Sequence, residues 1–248
     1  MKCYASYREI DEIAEGLIRQ FEFQFKINSE YVDIERFVTE YLDHAIVYAS
    51  MAEADRSKMA FLADGKAPLH IFEGGQIKSV IFPIKTIVLG SFYKRSDAVY
   101  KKRFALAHEP RTYHLNRLCG VPVVATFQSE FDGERTYTFD ELKEMLSMNE
   151  RYANNMASAL LMPRSKVMEV MGKVTDKERL PIYGESVMSF EDKRIVEKMA
   201  SILQVSFSAM YFCIKQLELT VYRSIEDYIA THLGDVIYKG GRLDGADC

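Results

Sequence analysis

The apolar residues of this 248-residue chain change their spacing twice, and that change limits the folds open to it. Ile10, Ile13, Ala14, Leu17, Ile18 and Phe21 recur at helical intervals, so the spacing predicts an amphipathic helix over residues 7–25. Ile34, Phe37, Val38, Tyr41 and Leu42 predict a second over residues 33–42. Between residues 45 and 90 the pattern breaks into short runs, Ala45–Tyr48, Met59–Leu62, Leu69–Phe72 and Ile87–Leu89. Asp64-Gly65 and Gly74-Gly75 split them, which reads as a small sheet. The most apolar window, Val80 to Leu89, reads as a buried strand region. Helical spacing then returns: from Ala98 to about Glu109 behind a cap at Ser96 or Asp97, from Thr138 through Ala159 to a stop near Pro163, over 191–203 and over 206–217. Gly120 to Thr138 reads as a loop or hairpin, and no internal repeat interrupts the order. The class is α+β, with helices segregated from a small mixed sheet.

Composition narrows the function. A net charge of −4 gives no broad attraction to nucleic acid or to an anionic surface. The charged N-terminus is unlike a signal peptide, and no apolar run approaches the ~20 residues of a membrane span. Cysteines at 3, 119, 213 and 248 lack the spacing of a zinc knuckle or redox pair, which suits a reducing compartment, and a cytoplasmic location is expected.

Chemistry concentrates at Arg103-Phe104-Ala105-Leu106-Ala107-His108-Glu109 and at Glu150-Arg151-Tyr152-Ala153-Asn154-Asn155-Met156-Ala157-Ser158-Ala159-Leu160-Leu161-Met162-Pro163. The first opens like a zinc-peptidase helix, His-Glu-x-x-His, in which residues four apart face the same way and grip one ion. Here the fourth position is Thr112, a poor zinc donor. The next histidine, His114, lies six residues on, about 240° round a regular helix. Pro110 makes a regular helix doubtful in any case, at a cost of roughly 3 kcal/mol in a helix interior.

In this order the two segments resemble the ImmA/IrrE metallopeptidases. That family carries R-F-T-L-A-H-E-x-x-H on one helix and E-x-x-A-N-x-F-A-A-x-L-L-M-P on a later one. The resemblance implies a zincin-like core over residues 1–165 and a C-terminal helical extension over 166–233 that includes a closing helix pair; the residues 234–248, with Gly240-Gly241 and Gly245 among them, read by themselves as a flexible tail. It implies His108 and Glu150 as metal ligands, Glu109 as the general base, and zinc as the cofactor, with Thr112 in place of the second imidazole. His114 is the candidate substitute ligand. Asn154, four residues after Glu150, shares its face and serves as a donor to the ligands or packs beneath them. The implied substrate or partner is a helix-turn-helix repressor of a mobile element or stress response. Each residue also has a plain structural reading: His108 as a core histidine, Glu109 as a helix-end acid, Glu150 as the partner of a nearby arginine such as Arg151 or Arg103.

Three accounts of the broken motif stay open. The chain is a degenerate member that binds without cutting; or His114 or Cys119 is brought round to complete the site; or the gene has slipped frame. One extra base ahead of Pro110-Arg111-Thr112, encoded CCN CGN ACN, rereads the codons as NCC NCG NAC, and the last can be His. A template with no phase restoring His at 112 removes this third account. The competing class is a DNA-binding module at residues 191–219, but its second helix has one cation, Lys215, among many apolar groups, so direct nucleic-acid binding is not expected.

Overall fold

A computed structural model describes the backbone of residues 6–52, 58–118, 126–129 and 148–232, and shows a mixed α+β chain. It divides into two compact units. One holds the residues up to Lys166 together with Leu203–Val205; the other holds Val167–Ile202 and the residues from Ser206 on. The tail over 234–248 and most of the expected loop over 120–138 lie outside the described residues.

The first unit opens with α1 (Tyr7–Phe25), whose buried Ile10, Ala14, Ile18 and Phe21 repeat the helical spacing. Its start is a reciprocal cap: Glu9 N–H donates to Ser6 Oγ while Ser6 N–H donates to the Glu9 carboxylate at 2.6 Å. The expected second helix is only partly regular. Asp33 caps a short α2 (Ile34–Arg36), which runs into a π-helical turn at Phe37–Tyr41. The wider turn carries buried Phe37 against Phe21 and stacks it on Tyr41, with ring centroids 5.4 and 5.3 Å apart.

The small sheet resolves into two. β1 (Ala45–Ala49), β2 (Lys58–Leu62), β5 (Thr86–Gly90) and β6 (Thr126–Ser129) form a four-stranded sheet ordered β1-β5-β2-β6, with β1 parallel to β5 and the other neighbours antiparallel. β3 (Pro68–Glu73) and β4 (Gln76–Ile81) form a separate hairpin, turned by Gly74 and Gly75. Their φ of 61° and 77° supplies the left-handed pair that a two-residue turn requires. The window from Val80 to Leu89 is therefore not one buried strand: Ile81 and Ile84 are exposed, and burial begins at Thr86.

Alternation along β2 and β5 sends side chains to both faces of the sheet. Phe61 and Val88 join Ala49, Ala63 and Leu69 in the core beneath the hairpin. By the two-residue period, Leu62, Ile87 and Leu89 point the other way, where α3 (Val99–Leu118) packs on β2, β5 and β6. α4 (Met148–Leu161) lies between α3 and α1, in contact with both. A 3-10 turn at Ser96–Ala98 leads into α3 at the expected start.

α3 corrects one expectation: the helix does not end at Glu109 but continues through Pro110 to Leu118. Proline deprives the Leu106 carbonyl of its i+4 donor, yet packing on α4 and on the sheet outweighs that local loss.

The second unit contains α5 (Arg164–Val174, whose first residues belong to the first unit), β7 (Leu180–Tyr183), α6 (Phe190–Leu203), α7 (Phe207–Gln216), β8 (Thr220–Arg223) and α8 (Ile225–His232). The helix pair matches the expected 191–203 and 206–217. The parallel pairing of β7 with β8 and the helices α5 and α8 were not foreseen. Val170, Met171, Ile182, Met199, Met210 and Ile214 are buried in its core.

The face of α1 toward the start of α5 carries acids. Glu15 accepts from the Ser165 N–H at 3.3 Å and Glu22 pairs with Lys166 at 2.8 Å, while Asp11 is buried with its Oδ1 lacking a partner among the described residues. Burial first, and the Glu15 charge second, raise the Asp11 pKa, with Arg164 opposing. A carboxyl whose pKa is raised by folding favours the folded state below its unfolded value and loses that contribution as pH rises through the folded value. Asp11→Asn is therefore expected to raise the melting temperature at pH 7 by about 2–4 °C, the shift that ~1 kcal/mol gives in a chain of this size. The gain disappears near pH 3, and thermal melts at the two pH values check it.

Candidate functional site

Five consecutive residues of α3, Ala105 to Glu109, are buried. Adjacent helical residues point about 100° apart, so an unbroken buried run means that the helix is covered nearly all round at this point. Sheet and α4 supply that cover. Two of the five are polar: His108 is 5% exposed and Glu109 is 1% exposed. The Nδ1 of His108 stands 3.8 Å from Oε1 of Glu109, and the His108 ring lies 6.2 Å from that of Phe104. Two ionisable side chains this deeply enclosed set the pair apart from the apolar helix around it.

The second motif begins on the neighbouring helix. Glu150 falls in the first turn of α4, and α4 packs along α3, so the fold brings the two sequence segments side by side. Ala153, Met156, Ala157, Leu160, Leu161 and Met162 are buried, which makes the Leu-Leu-Met-Pro end a packing element. Asn154 is exposed, so it does not pack beneath the site. The side chains of Thr112, His114 and Glu150, and Cys119 altogether, lie outside the described residues. The backbone at 112 and 114 is helical, and in such a helix position 112 shares the side of position 108 whereas 114 stands about 240° round.

Among the described residues no three His, Cys, Asp or Glu side chains form a group suited to a metal ion. A catalytic zinc takes three protein donors. On the side of α3 that holds His108, the sequence offers one imidazole and, at position 112, one neutral hydroxyl, a poor zinc donor.

The sequence offers Arg103 as the opening residue of the motif and as one arginine near enough to pair with Glu150; its main-chain partners were not foreseen. It is 7% exposed and donates to two main-chain oxygens, of Val32 and of Gln204, both at 2.9 Å. A basic residue inside an apolar helical stretch was the available signal. The helix pair of the second unit exposes Phe207 and Phe212, and the Lys215 ammonium lies 5.3 Å over the Tyr211 ring and 5.7 Å over that of Tyr222. The cation of α7 is thus engaged by aromatic rings of its own unit. Among the described residues no helix is long and apolar enough to cross a membrane.

Neither a family model nor a curated protein matches the chain.

Proposed function

We propose that this is a zincin-like protein of the ImmA/IrrE type that binds a protein partner at the α3–α4 face and, with threonine at position 112, does not hydrolyse it. One observation carries the reading: α3, with its enclosed His108–Glu109 pair, runs against α4, whose first turn holds Glu150. Two motifs some forty residues apart thus lie on adjacent helices, as a shared site requires. By resemblance, the partner is a helix-turn-helix repressor of a mobile element or stress response. In a complete site zinc would polarise the scissile carbonyl and activate water. This chain's own part is narrower. His108 would offer an imidazole, Glu109 a buried carboxylate able to accept a proton, and the packed helices a surface from which water is excluded.

Isothermal titration of the full chain against a panel of purified helix-turn-helix repressors tests the proposal, with each mixture then incubated and resolved on a gel. Saturable binding to at least one repressor with no cleavage product is the expected result. Binding to none overturns the partner assignment; cleavage of a bound repressor overturns the non-hydrolytic reading.

A further inference from the structure

Arg103 joins three stretches of the first unit that are distant in sequence. From α3 its Nε donates to the carbonyl of Gln204 and its Nη2 to that of Val32, and its Cζ lies 5.3 Å from the centroid of the Tyr31 ring. Val32 immediately precedes Asp33, the cap of α2. Gln204, at φ 55°, forms the turn between α6 and α7, and Leu203–Val205 is the segment that belongs to the first unit although both its flanks belong to the second. Leu203 and Val205 are themselves buried.

Guanidinium donors leave a rigid plane in fixed directions. Two donors held by two independent main-chain oxygens therefore fix both the rotation of α3 and its position along its axis. His108 lies five residues further on, about 7.5 Å along the helix. An error in rotation or slide at residue 103 is thus passed directly to the His108–Glu109 pair. Burial of a cation against neutral acceptors opposes its charged form, and a chain gains little global stability from such an arrangement.

We propose that Arg103 is a positioning residue whose two-carbonyl clamp sets where α3 presents His108 and Glu109. Its functional meaning rests on the site reading above, whereas the clamp is measurable without it. The test is residue-by-residue carbethoxylation of the full-length protein with diethyl pyrocarbonate, read by peptide mass spectrometry. His70 is exposed and serves as the fast reference, and His44, 3% exposed and on the loop before β1, reports general loosening of the first unit.

In Arg103→Gln, which removes both charge-assisted hydrogen bonds, His108 is expected to react at least about tenfold faster, the opening that loss of even one of them produces, while His44 keeps its wild-type rate. Arg103→Lys keeps the charge and lacks the fork, so it gives the same selective exposure; it also serves as the readout where Arg103→Gln does not fold. Three results overturn the assignment: an unchanged His108 rate, equal acceleration of His44 and His108, which is what a merely structural role would give, or full protection of His108 in Arg103→Lys. Neither zinc nor a repressor enters this measurement, so its failure leaves the site reading standing, and failure of that reading leaves the clamp standing.

Discussion

Thr112→His combined with Pro110→Leu is expected to turn a chain with well under one zinc per molecule into one that holds close to one. Helix α3 already continues through both positions, so the new imidazole lies one turn beyond His108 on the same side without any change of backbone path. Removing proline returns a donor to the Leu106 carbonyl and relieves a cost of roughly 3 kcal/mol at that point. Zinc affinity is expected to rise by at least about 100-fold, because even an outer partner of a metal ligand is worth 10- to 100-fold. Elemental analysis of both proteins purified without chelator gives the comparison. Hydrolysis of a bound repressor is expected to appear with the metal, since Glu109 is enclosed beside the ligand position.

Asp192→Ala is expected to be the most damaging change of a polar side chain described in the second unit. Asp192 is 1% exposed and sits in the first turn of α6. Its Oδ2 accepts from Ser189 Oγ at 2.6 Å, its N–H donates back to the same hydroxyl at 3.0 Å, and its Oδ1 takes the Lys177 ammonium at 2.7 Å. Alanine removes the acceptor of two donors, while its own N–H can still cap onto Ser189 Oγ. Lys177 is partly exposed and can return to water, so the loss falls short of that for a fully enclosed pair. The cost is about 2–4 kcal/mol. Urea unfolding measures it, with Asp192→Asn as the milder comparison, since it keeps one acceptor oxygen. A loss below about 1 kcal/mol would show that water replaces the carboxylate.

Where a period is long and local, the residues announced the structure. α1, α6 and α7 follow from apolar spacing, and the β3–β4 turn follows from Gly74-Gly75, because each is determined within a few turns of chain. Strand partners were not legible. The parallel pairing of β1 with β5, and of β7 with β8, depends on segments some forty residues apart, and nothing local encodes it. The passage of α3 through Pro110 was misjudged for a related reason: a local penalty was weighed without the packing that offsets it. Part of the site was legible. The motif order led to neighbouring helices, whereas the enclosure of Glu109 and the carbonyl partners of Arg103 depend on tertiary contacts.

The most direct measurement adds Glu150→Ala to the Thr112→His, Pro110→Leu protein and repeats the zinc determination. If α3 and the first turn of α4 serve one pocket, the added substitution returns the metal content to that of the unaltered chain. Undiminished zinc in the triple variant would contradict that shared pocket.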